Sequence, residues 1–180
     1  MYRDNTLVPA EAVRLAALGA LIARERRYSE LAEEVRHFSQ RITGPSLDLV
    51  GAPLEVMIVE GLMESRDGRG MEDNALLCMT EAGRDEFHRL MTSNLRAPVN
   101  DLSKLIIALK LRFLHLLPRD DALAQADLLV EMCERELARL TDLRGGYAQE
   151  DGHLPAWLDQ EIAQTRARLA WYEELAASFD

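Results

Sequence analysis

Two long apolar seams occupy the last third of the chain and restrict what it can fold into. From about Asp120 to Leu143, the residues Leu123, Ala126, Val130, Cys133, Leu137 and Leu140 recur at alternating spacings of three and four. From Pro155 to about Ser178, Leu158, Ile162, Thr165, Leu169, Tyr172, Ala176 and Phe179 recur at spacings of four and three. That period belongs to helices packed along their length. It suits a helical hairpin closed within one chain, or helices shared between two copies. Two helices with no third layer leave apolar surface uncovered, and this favours self-association. Upstream, Asp101 to Leu117 is apolar on more than one face, as in a helix lying between two partners. Pro118 stops it, and Arg144-Gly145-Gly146 is expected to end the next helix.

The first half has shorter periods. Pro9 through Arg24 reads as a helix with a broad apolar face and proline at its first position. Ser29 is the expected N-cap of a second helix, with Leu31, Val35 and Phe38 forming its buried stripe. After a break at Thr43-Gly44-Pro45-Ser46, a third helix runs from Ser46 to a glycine stop at Gly61. Pro53 either bends that helix or marks its true first turn. Leu62 to Ser65 and Ala75 to Met79 flank a glycine-rich tip, Arg66-Asp67-Gly68-Arg69-Gly70, and predict a β-hairpin. Thr80 then caps a fourth helix to about Met91. Three helices, a hairpin and a helix, in that order, describe a winged helix-turn-helix at residues 1–95, followed by a helical dimerisation domain at 96–180. The fold class is mainly α with a small β-hairpin.

Charge constrains the partners. The chain has 21 Lys and Arg against 31 Asp and Glu, a net charge of −10. Both halves carry −5 (11 basic and 16 acidic residues to Leu95, 10 and 15 after it), so no domain-wide basic footprint announces nucleic acid. The densest basic cluster is Arg24, Arg26 and Arg27, followed by Arg36 and Arg41. Two cysteines exclude a disulfide scaffold, and their apolar flanks suit a reducing compartment. With no apolar leader and no span-length apolar run, the expectation is a cytoplasmic protein without membrane contact. The four histidines are scattered, and no nucleophile elbow or phosphate loop is legible. We therefore expect no enzyme, no metal and no cofactor.

The motifs carry a resemblance. Tyr28-Ser29-Glu30-Leu31-Ala32 resembles the second helix of PadR-like transcriptional regulators, and Glu60-Gly61-Leu62-Met63-Glu64-Ser65 resembles their junction between recognition helix and wing. Thr80-Glu81-Ala82-Gly83-Arg84 is similar to the segment that closes their wing. Arg96-Ala97-Pro98-Val99 with Asp101 to Leu117, and the tail Leu169-Ala170-Trp171-Tyr172-Glu173-Glu174-Leu175, resemble the helical part of the longer members, the subgroup that includes virulence-gene activators. The resemblance implies a homodimer held by C-terminal helices, with a recognition helix for the major groove and a wing for the DNA backbone. It points to Leu109, Phe113, Leu158, Ile162, Leu169, Trp171, Tyr172 and Phe179 at the dimer interface. It also implies an aromatic effector pocket to which Trp157, Trp171, Tyr172 and Phe179 can contribute.

The recognition helix departs from the family pattern. By register, Gly51 stands at the family's tyrosine position, and Glu55 and Val56 stand at its basic positions. No Lys or Arg lies between Ile42 and Ser65, whereas Asp48, Glu55, Glu60 and Glu64 do. Base edges and phosphates call for donors, and this face supplies none. Candidate double-stranded DNA contacts are therefore Arg24, Arg26, Arg27, Tyr28, Ser29, Arg41, Thr43, Ser46, and Arg66 and Arg69 at the wing tip. Two readings remain open: a dimeric PadR-like regulator that binds DNA, or a winged helix that has lost DNA affinity and docks a protein on its acidic third helix.

Overall fold

The computed structural model describes residues 7–43, 52–95, 101–149 and 151–179. The chain divides into two compact units, Met1–Asn94 with Val99–Leu116, and Leu95–Pro98 with Leu117–Asp180.

The first unit is built around α1 (Pro9–Ala23), whose Ala12, Val13, Leu15, Ala16, Ala17 and Leu18 are fully buried. Its start is as expected, with Pro9 in the first turn and the Glu11 carboxylate accepting the Val8 N–H at 3.0 Å. The next helix, α2 (Tyr28–Thr43), begins one residue before the expected cap. Ser29 therefore lies inside the first turn, and its N–H donates to Asn74 Oδ1 at 2.9 Å. The third helix is described as α3 (Ala52–Val59), so Pro53 marks a first turn instead of a bend. Ser46 lies outside the described residues. Gly61 ends α3 as predicted: its φ is +73°, its N–H donates to Ile58 O, and the Leu62 N–H donates to Met57 O. This paired closure satisfies two carbonyls that a helix end otherwise leaves open.

The expected hairpin is present, with β2 (Met63–Ser65) and β3 (Leu76–Met79) antiparallel, Glu64 opposite Cys78. A strand not foreseen joins it. Arg26–Arg27 forms β1 and pairs antiparallel with β3, giving the order β1-β3-β2. Two residues are too short for alternation to register in a sequence. Asp67 fastens the wing: its carboxylate accepts the Leu76 N–H at 2.6 Å and the Arg27 guanidinium at 2.8 and 3.0 Å. The backbone N–H first, and Arg27 next, hold its carboxyl below the usual range.

Thr80 caps α4 (Glu81–Met91) as its sequence predicts. Its hydroxyl accepts the Gly83 N–H at 3.0 Å and donates to Gly61 O at 2.7 Å, so one side chain joins the end of α3 to the start of α4. The unit is completed by α5 (Asp101–Phe113), which stops short of Leu117 and passes into a 3₁₀ turn at Leu114–Leu116. This helix packs on α1 and α2. It clusters with the winged unit, whereas a division at 95/96 assigns it to the C-terminal part. Arg112 anchors it, paired with Glu34 and stacked over the Phe38 and Phe113 rings at 4.8 and 5.0 Å. The Lys110 Nζ, 1% exposed, donates to Met91 O and Ser93 O at 2.5 and 2.7 Å and so closes the C-terminal end of α4. Burial pushes its pKa down to about 7.

The second unit is an antiparallel pair, α6 (Arg119–Gly146) and α7 (Leu154–Ala177). The Arg144-Gly145-Gly146 segment ends α6, although the helix runs on past Leu143 and stops at Gly146. The α7 seam is largely consumed within the chain: Leu158, Ile162, Thr165 and Tyr172 are buried, facing Ala126, Cys133 and Leu140 among others. The Cys133 thiol donates to Thr165 O at 3.4 Å, and Arg144 pairs with Asp159 at 2.8 Å. The spacing is thus satisfied by a helical hairpin within one copy.

Candidate nucleic-acid interface

In a winged helix the exposed face of the third helix and the wing form the surface for nucleic acid. The α3 sequence settles which side chains that face carries. Leu54 and Met57 are fully buried against the first unit's core, and Ile58 is half-buried. The two carboxylates of the helix end are turned to other work. Glu55 Oε1 accepts the Met71 N–H at 3.0 Å, fixing the base of the wing to α3. Gly70 packs so closely there that a Cβ on it would stand 3.1 Å from Glu55 Oε1 and 3.4 Å from Ile58 Cδ1. The same carboxylate lies beside the buried Tyr28 phenol, whose pKa is pushed up by burial and then by that negative charge. Glu60, just past α3, pairs with Arg14 at 2.8 Å. What faces outward is apolar: Val56 is 42% and Val59 87% exposed. Of the acidic residues on which a protein-docking reading rests, Glu55 and Glu60 are engaged within the chain, and Asp48 lies outside the described residues.

The predicted contact residues separate into two groups. Arg26 is engaged by Glu34 at 2.5 Å and by Ala20 O, Arg27 by Asp67, and Arg66 by Glu25 and Glu64 at 3.2 and 3.3 Å. Tyr28 is buried, with its N–H donated to Ala75 O, and the Ser29 N–H is held by Asn74. The first two amides of α2 are therefore given to the wing, leaving those two closed to phosphate. Thr43 is buried and its hydroxyl donates to Ser39 O. In contrast, Arg24, Arg41 and Arg69 are exposed and form no ion pair with another described residue.

Arg36, which the sequence placed only in the basic cluster, shares that freedom. It lines a cleft of about 450 Å³ between α2 and the wing, with Tyr28, Ser29, Ala32, Glu33, Met71 and Asn74. The cleft places Arg36 beside Met71, whose N–H is held by Glu55, and Arg69 lies two residues before Met71 in the wing. The role of Glu55 was invisible in the sequence, since its partner is a backbone N–H sixteen residues away.

The residues expected at a dimer interface are placed as follows. Leu109 and Phe113 are buried in the first unit, the Phe113 ring edge-to-face with Phe87 at 6.0 Å. Leu158, Ile162 and Tyr172 are buried in the helical hairpin, and Phe179 is half-buried. These six therefore meet neighbours in their own chain, five of them completely. Leu169 is half-exposed beside a shallow groove of about 980 Å³ along α6. Trp171 remains open to solvent, as does Trp157, at 49% and 54%. Of the four aromatics proposed for an effector, Tyr172 is buried in the hairpin with the Trp171 ring centroid 5.2 Å from its own, while Trp157 and Trp171 are both exposed. Among the described residues no cluster of His, Cys, Asp or Glu can hold a metal ion, and no helix is long and apolar enough to cross a membrane.

Solved structures similar to the chain include PadR and a PadR-like regulator. The PadR of Bacillus subtilis is 16% identical over 97% of this chain and 98% of its own, with a TM-score of 0.41. A structure of that PadR in complex with operator DNA is 20% identical over 93% and 98%, with a TM-score of 0.37. A PadR-like transcriptional regulator of Bacillus cereus is 16% identical over 93% and 97%, with a TM-score of 0.40. No curated protein matches the chain. The family described as AphA-like transcriptional regulator matches residues 2–176. With its winged helix and its PadR-like motifs matched over almost the entire length, the chain belongs to the AphA-like transcriptional regulators.

Proposed function

We propose that this regulator works in the cytoplasm as a homodimer that binds double-stranded operator DNA, and that it catalyses no reaction. Each α3 enters a major groove, and each wing tip follows the adjoining backbone. The observation that carries this reading is the commitment of the α3-side carboxylates to the protein itself, Glu55 to the wing and Glu60 to Arg14. Glu60 is thereby paired with a cation and Glu55 turned to a backbone N–H, and the outward side chains of the described helix are Val56 and Val59. Few cations then carry the phosphate contacts, so each should contribute visibly to the salt dependence.

Dimerisation is proposed to use the outward face of α7, centred on Trp157 and Trp171. They are large, half-exposed aromatics fourteen residues apart on one side of a helix whose other side is already packed. Two winged units related by a two-fold axis would address half-sites about one helical turn apart.

The test is a titration of the full chain into a duplex from upstream of its own gene, at several salt concentrations. Arg36→Ala and Arg69→Ala should each flatten the slope of log K against log salt by about 1. Arg27→Ala, whose guanidinium is held by Asp67, should change the slope much less. Slopes unchanged in the first two variants would contradict the assignment of these arginines to phosphates.

A further inference from the structure

Asn74 stands where the wing meets α2. Its φ is +46°, and among the described residues it alone combines a positive φ with a side chain. Glycine takes that conformation freely, and asparagine tolerates it because its short polar side chain can bond nearby backbone. Here the side chain reaches another element. Asn74 Oδ1 accepts the Ser29 N–H at 2.9 Å, satisfying an amide in the first turn of α2 that a helix leaves open. The backbone of Asn74 is also committed: its carbonyl accepts the Arg27 guanidinium at 3.4 Å, and its N–H donates to Met71 O at 3.2 Å. The Met71 N–H in turn goes to Glu55 of α3 at 3.0 Å. A run of hydrogen bonds therefore passes from α3 through the wing to α2, and the Asn74 side chain makes its last step. Position 74 needs a left-handed backbone and an acceptor together, a pair of demands that asparagine and aspartate meet and glycine does not.

We propose that Asn74 is a positioning residue for DNA binding, which fixes the wing, and α3 through it, relative to the first turn of α2. This rests on the DNA-binding reading above. Asn74 itself touches no DNA. It acts through Ser29 and Met71, so its loss disturbs the register in which α3 meets the bases and leaves the number of phosphate contacts as it was.

The experiment compares the full wild-type chain with Asn74→Gly, which keeps the left-handed backbone and deletes the acceptor, and with Asn74→Asp, which keeps both. Hydrogen exchange at the Ser29 amide should quicken in Asn74→Gly and stay at the wild-type rate in Asn74→Asp. Each chain is then titrated with the duplex upstream of its own gene and with a scrambled duplex. Asn74→Gly should lose about 10-fold of the preference for the upstream duplex, the order of one mismatched base pair. Its slope of log K against log salt should match the wild type, because no phosphate contact is removed. Asn74→Asp should keep the preference. An unchanged preference in Asn74→Gly, or unchanged exchange at Ser29, overturns the positioning role and leaves DNA binding standing. A slope flattened by about 1 makes Asn74 a phosphate contact and overturns it equally. A wild-type chain that binds neither duplex overturns the DNA-binding reading and this role with it.

Discussion

Gly83 shows how closely one position can be specified. A Cβ there would stand 2.0 Å from the Leu62 carbonyl oxygen, because the first turn of α4 is drawn onto the end of α3 by the Thr80 hydroxyl. The wing-closing Thr-Glu-Ala-Gly-Arg sequence is thus a packing solution: a cap at its first position and a bare Cα at its fourth. Gly83→Ala should lower stability by about 2–3 kcal/mol through overpacking against backbone that cannot move aside. A urea midpoint equal to that of the wild type would contradict this. Lys110 makes a second residue-scale prediction. Its pKa falls to about 7 in the fold and returns to about 10.5 in the unfolded chain, so between these values the unfolded state binds more protons. Stability relative to Lys110→Met should therefore rise with pH from about 7 to 10, with a slope approaching ~1.4 kcal/mol per pH unit. As a neutral amine the group still offers two N–H bonds to Met91 O and Ser93 O. A flat difference across that range would show that Lys110 stays charged in the fold.

Among the elements, the α6–α7 hairpin separates fold from assembly. Tyr172→Asp places a carboxylate among buried apolar groups and should unfold the second unit, seen as a loss of far-UV helical signal. Trp171→Asp, on the open face, should leave that signal intact and halve the mass in sedimentation. An unchanged mass for Trp171→Asp would remove this face from the interface. The wing makes a parallel case, since Glu55→Ala removes the acceptor of the Met71 N–H and should speed hydrogen exchange there while Leu31 in α2 stays protected. The periods of three and four, the capping threonine and the glycine stop made most of these elements legible, and the winged-helix order followed. What escaped reading depends on distant partners. The strand at Arg26–Arg27 exists only because β3 lies beside it, and α6 runs three residues beyond Leu143 to end at Gly146, with Arg144 braced by Asp159 across the hairpin. On α7 the predicted Leu158, Ile162, Thr165 and Tyr172 are buried, whereas on α6 Leu123, Val130 and Leu137 are only half-buried and Ala122, Leu129 and Met132 fill the core instead; spacing also cannot say whether a helix's partner lies in the same chain.

For the whole molecule, a net charge of −10 and a reading helix without a described cation weigh against DNA, and the engagement of Glu55 and Glu60 within the chain changes the weight of the second fact. Binding depends on the field at the contact surface, where carboxylates bonded to the protein's own groups are partly cancelled while the unpaired guanidinium groups are not. The same surface explains why the candidate site was only half legible. The sequence named the basic residues, yet Asp67, Glu34 and Glu25 decide which are already taken, and they do so through pairings that no local motif encodes. The measurement that tests this account most directly is fluorescence anisotropy of the full chain against the duplex upstream of its own gene, beside a scrambled duplex, at about 50 and 200 mM salt. The account predicts preferential binding to the upstream duplex that weakens steeply with salt. No binding to either duplex at about 50 mM salt would contradict it.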